Sequence, residues 1–158
     1  MIITIHHSAT PVNTTITAID KMHKDRFNMK SSLGFYIGYH YLIASNGNIT
    51  QTRKDTEIGA HVANKNKNNI GICLIGNFEE NKPTDQQIYA LRDLLKKLVK
   101  QYDIKNIYGH KELAATACPG KHISMDFIRN LAEIPTEKEV KESKEAVIKR
   151  IKELLDIL

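Results

Sequence analysis

No stretch of this 158-residue chain approaches the roughly 18 consecutive apolar residues that a membrane-crossing helix needs, and neither an internal repeat nor a low-complexity segment is present. The opening Met1-Ile2-Ile3-Thr4-Ile5-His6 lacks a basic stretch and a small-residue cleavage site, so no secretory signal is visible and the protein is expected to be cytoplasmic on synthesis. Only two cysteines occur, Cys73 and Cys118, which allows one disulfide at most. Without a signal peptide, a metal or catalytic role for one of them is favoured over that disulfide. Although the net charge is +5, no nucleic-acid recognition motif accompanies it, which argues against DNA or RNA as partner.

What remains is one domain's length of chain with ordinary composition, 41% apolar and 26% charged. From Pro135 onward six basic and six acidic residues cancel, so the whole excess of positive charge lies in the body, with 17 basic residues against 12 acidic. A basic body suits a polyanionic partner such as an anionic cell-wall polymer, or serves solubility alone.

Along the chain, Met1–His7 reads as a β-branched buried strand whose alternation sends His6 and His7 to opposite faces. Thr17 with Asp20 fits a capping box opening a helix to about Phe27, which carries His23 as a packing or surface histidine. Phe35–Ala44 and Ile49–Thr52 read as strands joined by a hairpin turn at Ser45-Asn46-Gly47-Asn48, where Asn-Gly supplies positive φ angles. The polar loop Glu57–Asn69 contains Gly59-Ala60-His61, and the apolar run Asn69–Phe78 suits a central strand covered on both faces, with Cys73 a small buried hydrophobe. Thr84 and Gln87 form a second capping box, followed at helical spacing by Ile88, Leu91, Leu94, Leu95, Leu98 and Tyr102. Ile104–Tyr108 is a short strand and His122–Leu131 a third helix. Strands interleaved with helices, plus one hairpin, predict an α/β domain on a central mixed sheet over residues 1–134. Residues 135–158 form a separate amphipathic helix in this reading. Its apolar Val140, Val147, Ile151, Leu154 and Leu158 either fold onto the domain, build a homo-oligomer through residues 136–158, or aid contact with the cell envelope.

The chemistry concentrates in Tyr108–Gly120, where His110 and Cys118 lie eight residues apart in a segment punctuated by Gly and Pro. An imidazole and a thiolate suit Zn²⁺, and two ligands need a third from elsewhere. Ile5-His6-His7-Ser8 is the best source, with His6 and His7 as rivals and His122 as a further alternative.

Six stretches in order carry a resemblance over residues 1–131: Ile5-His6-His7-Ser8-Ala9-Thr10, Gly38-Tyr39-His40, Asn46-Gly47, Gly59-Ala60-His61, Asn69–Gly76, and Gly109-His110 through Cys118-Pro119. Together they resemble the zinc-dependent N-acetylmuramoyl-L-alanine amidases, the group that includes phage T7 lysozyme and the peptidoglycan recognition proteins. The resemblance implies one Zn²⁺ per chain held by His6, His110 and Cys118, with Tyr39 beside the metal's water and Thr116 steadying the oxyanion. T7 lysozyme-like enzymes have lysine at the Thr116 position and many amidase-active recognition proteins have threonine. His40 and His61 take supporting structural roles in this reading. The implied activity is cleavage of the amide between N-acetylmuramic acid and L-alanine of peptidoglycan, by an endolysin of phage type acting on the wall after release. The alternatives are a cytosolic muropeptide-recycling amidase, against which Cys118 argues because those members use aspartate there, and a non-catalytic peptidoglycan-binding or regulatory protein, a class that usually loses this cysteine.

Overall fold

The computed structural model describes residues 1–134 and 137–155. Five strands make one sheet: β1 (Ile2–His7), β2 (Tyr41–Ile43), β3 (Ile49–Gln51), β4 (Asn69–Leu74) and β5 (Ile107–Gly109). Their order is β3-β2-β4-β1-β5, with β2, β4, β1 and β5 parallel and β3 antiparallel to β2. The expected mixed α/β sheet is therefore present. Among the described residues four helices accompany it, α1 (Ile16–Phe27), α2 (Asp85–Tyr102), α3 (Met125–Leu131) and α4 (Glu137–Leu155).

The period of two along β1 divides the interior. Ile3 and Ile5 join the larger apolar cluster with Leu91, Leu95 and Leu98 of α2 and Ile128 of α3. The other face of the sheet carries Leu42 and Cys73, which pack with Ile19 of α1, Ile37 and Ile75. His6 and His7 accordingly leave β1 on opposite sides, as the alternation requires.

The start of α2 bears out the second capping box. Gln87 N donates to Thr84 Oγ1 (3.1 Å), and Thr84 N donates to Gln87 Oε1 (3.1 Å). The fully buried Gln87 amide also donates to the carbonyls of Ile43 and Ile75, so one side chain caps the helix and ties it to two strand ends.

Other boundaries differ from the sequence reading. The N-cap of α1 is Thr15, whose Oγ1 accepts from Ala18 N (3.2 Å), and Thr17 lies inside the helix. Asp20 instead accepts from the backbone N–H groups of Tyr36 and Ile37. Only Tyr41–Ile43 of the expected strand 35–44 is strand, because residues 36–38 give their N–H groups to side chains of α1. β4 stops at Leu74, and α3 begins at Met125 under a Ser124 cap, leaving His122 in a loop.

The loops that flank the sheet are held by a buried cation. Arg53, 2% exposed, donates to the carbonyls of Ile37, Ile58 and Met29. A guanidinium presents several donors in a fixed fork, so it satisfies three orphan carbonyls of irregular chain that no ladder reaches. Those same loops carry Tyr39 and His61.

Candidate metal centre

The parallel strands direct their carboxyl ends to one side, and three side chains meet there. His6 comes from near the end of β1, His110 from the short 3-10 turn His110–Glu112 after β5, and Cys118 from the loop beyond. Their ligating atoms lie within 4.8 Å of one another. Cys118 Sγ sits 3.6 Å from His6 Nδ1. Ligand distances of ~2.3 Å for sulfur and ~2.05 Å for nitrogen at a tetrahedral angle place the two donors about 3.6 Å apart, so the pair already has the separation a zinc ion needs.

The loop is folded by its own backbone. Lys111 N donates to Cys118 O (2.7 Å), Gly120 N to Ala117 O (2.8 Å), and Cys118 N to Thr116 Oγ1 (3.2 Å). His7 N donates to Cys118 Sγ (3.4 Å), which favours a sulfur carrying negative charge. Burial pushes the Cys118 thiol up to about 11, partly countered by that N–H. A thiol must lose its proton to bind metal, so ligation here displaces a proton rather than meeting a ready thiolate. Burial, then the neighbouring His61 and His110, hold His6 well below its ordinary value, and burial lowers His110. Neutral imidazoles are the ligating form, so both fit an ion.

The rivals for the third position fall away. His7 turns to the opposite face, where its Nδ1 accepts from Phe78 N (3.1 Å). His122 sits in the loop before α3, with its N–H on the Phe78 carbonyl. His40 is structural: Nδ1 accepts from Gly71 N (3.0 Å) and Nε2 faces Glu57 O (2.8 Å). Cys73 is fully buried under the sheet and unbridged.

Tyr39 stands at the site, its ring 5.0 Å from that of His6. Burial drives its phenol well above the ordinary value, with the Cys73 and Cys118 sulfurs adding to the effect. Thr116 is exposed two residues before Cys118.

Beside the trio opens a cleft of about 440 Å³, with His23, Arg26 and Phe27 of α1 on one wall and Asn66, His110 and Ala114 among its other lining residues. His23 and Arg26 were not singled out as site residues from the sequence. The available signal was helical spacing, since His23 follows the buried Ile19 by four residues. His23 Nδ1 accepts from Gly38 N (2.8 Å), which fixes the residue before Tyr39.

That bond needs a neutral imidazole. Burial, then Arg26, lowers His23 to about 4. Between about pH 4 and 6.5 the unfolded chain therefore binds a proton that the folded chain does not, and stability falls as pH is lowered through this window. Metal-free protein should lose about 1–2 kcal/mol from this residue, allowing for its partial exposure. Urea midpoints at pH 7 and pH 4.5 measure the loss, and His23→Gln should shrink it.

Two imidazoles and one sulfur, of which His110 lines the cleft, form a donor set that suits a zinc ion. Residues 1–121 match the N-acetylmuramoyl-L-alanine amidase family. The chain belongs to that family. It is 31% identical over 122 residues to the endolysin of Escherichia phage T7, covering 73% of this chain and 77% of that one. With peptidoglycan-recognition protein SC2 of Drosophila melanogaster it shares 36% identity over 124 residues, 75% of this chain and 67% of the relative. The solved N-acetylmuramoyl-L-alanine amidase LysC from Clostridium intestinale superposes with a TM-score of 0.76 at 31% identity, covering 85% of each chain.

No helix among the described residues is long and apolar enough to cross a membrane.

Proposed function

We propose that this chain hydrolyses the amide joining N-acetylmuramic acid to the L-alanine of peptidoglycan stem peptides, as an endolysin of phage type, with one Zn²⁺ held by His6, His110 and Cys118. The observation that carries the reading is this donor trio, its ligating atoms within 4.8 Å of one another beside an open cleft, in a chain of the amidase family. The T7 endolysin and the Clostridium amidase among its relatives support it.

Zinc, when bound, supplies an acidified water at neutral pH and polarises the scissile carbonyl. The chain's own residues do the rest. Tyr39 stays protonated across the working range, so it donates a hydrogen bond to charge developing on the carbonyl oxygen and does not serve as the base. Thr116 keeps its hydroxyl proton available, because its oxygen accepts from Cys118 N. Arg26 on the cleft wall offers a fixed positive charge for a stem-peptide carboxylate. The basic body, 17 cationic residues against 12 anionic, favours approach to an anionic wall.

Digestion of purified peptidoglycan tests the reading. The expected product is stem peptide with a free α-amino group on L-alanine, without new reducing sugar ends. Reducing ends, or no cleavage by protein carrying one zinc per chain, would overturn it.

The apolar face of α4 calls for a partner. Val147, Ile148 and Ile151 are each more than half exposed. Leu158 and the side chains of Val140 and Leu154 lie outside what is described. We propose that residues 136–158 join protomers, because Val140, Val147, Ile151, Leu154 and Leu158 recur at spacings of seven, four, three and four, as on a helix seam. Sedimentation of the full chain should show an oligomer, and a chain ending at Ile134 should be monomeric. Identical monomers would refute the assembly.

A further inference from the structure

His61 lies in the loop before β4, near the metal trio but outside it, and is 8% exposed. Its ring touches two partners that fix its hydrogens. Nε2 lies 3.1 Å from the backbone carbonyl of Asn69. A carbonyl only accepts, so Nε2 carries the proton. In a neutral imidazole Nδ1 is then bare, and it faces His6 Nε2 at 3.1 Å. His6 must donate there. The remaining nitrogen of His6, Nδ1, keeps its lone pair, and this is the atom 3.6 Å from Cys118 Sγ.

We infer that His61 is a positioning residue that sets the tautomer of His6, so that Nδ1 is presented to the metal ready to bind. The inference deepens the zinc reading above and rests on it for the ion's identity, though the tautomer itself is a property of the metal-free chain. A ligand histidine whose outer nitrogen is held by a fixed acceptor binds metal more tightly, because neither ring rotation nor proton transfer has to accompany ligation. Here the acceptor is another imidazole, ending on a backbone carbonyl. It keeps the relay electrically neutral, so it orients His6 without adding the negative charge that a carboxylate would bring.

The relay is anchored at its far end. Asn69, 2% exposed, accepts from Thr4 Oγ1 at Oδ1 (2.8 Å) and donates from Nδ2 to Lys65 O (2.8 Å). Its position at the first residue of β4 fixes the carbonyl that His61 meets. Asn66 Oδ1 accepts from the backbone N–H groups of His61 and Val62, which holds the loop. Gly71 makes room, since a Cβ there would lie 2.8 Å from the His61 ring. Thr4 and His6 share one face of β1, so a single strand supports both ends of the relay.

Two measurements test this. Imidazole nitrogen NMR of the metal-free wild type should show His6 protonated at Nε2 and His61 also protonated at Nε2. Protonation of His6 at Nδ1 would overturn the inference whether or not the protein binds zinc. Competition with a chelator of known zinc affinity should then show wild type binding about 10–100-fold more tightly than His61→Phe. His61→Gln, which keeps an amide oxygen as acceptor, should recover at least about tenfold of the loss. Equal zinc affinity in wild type and a folded His61→Phe would reject the role. If His61→Phe does not fold, the wild-type tautomer decides alone. A wild type that binds no zinc would defeat the metal reading and leave the NMR result standing as a separate outcome.

Discussion

Cys118→Ser should release the metal and remove activity by at least about a thousandfold. A serine hydroxyl at that position stays protonated and is a poor zinc ligand, while the sulfur is placed 3.6 Å from His6 Nδ1 and receives the His7 N–H. The loop should survive the change, because Lys111 N, Gly120 N and Thr116 Oγ1 hold it through backbone atoms and a neighbouring side chain. Zinc content by atomic absorption is expected to fall from about one per chain to near zero, alongside loss of dye release from labelled peptidoglycan. Retention of full zinc with more than half the activity would remove Cys118 from the ligand set. Zinc lost with activity intact would mean that the hydrolysis does not use the ion.

Tyr39→Phe should lower kcat about a hundredfold while zinc content stays unchanged, the size expected for one lost donor at a developing oxyanion. Its phenol is held well above the ordinary value, so the wild-type rate should show no limb near pH 10 from Tyr39 as a base. Thr116→Ala should cost less, about tenfold, because Thr116 is exposed and flexible solvent can replace its hydrogen bond. An unchanged kcat in Tyr39→Phe would transfer the donor role to Thr116.

The parts of the molecule that show plainly in the sequence are those set by local chemistry. β1 and β4 are runs of β-branched and apolar residues, and the α2 cap follows from Thr84 and Gln87 alone. The trio His6, His110 and Cys118 came from the family resemblance, since the strand's alternation separates His6 from His7 without choosing between them, and the structure brings these three side chains together. Segment 35–40 was not legible. Its aromatic, β-branched composition suits a strand, yet its N–H groups bind Asp20 and His23, 15 to 17 residues upstream. No local pattern announces a backbone paired to distant side chains. The same holds for His61, whose two partners come from separate strands, whereas Thr15 caps α1 in place of Thr17 through a local bond to Ala18.

β1 carries one more consequence. It occupies the middle of the parallel run, pairing with β4 on one side and β5 on the other, roughly seventy and one hundred positions later in the chain. β1 thus gains both neighbours only after the chain has been made through β5. Non-local parallel pairing of this kind slows folding, because chain closure comes before its contacts can offset it. Two of the three donors, His110 and Cys118, also arrive late in synthesis. A chain that ends before residue 107 holds His6 on a strand without β5 and lacks the other two donors of the trio. The complete donor trio therefore exists only once the chain through Cys118 has been made and β1 has found both neighbours.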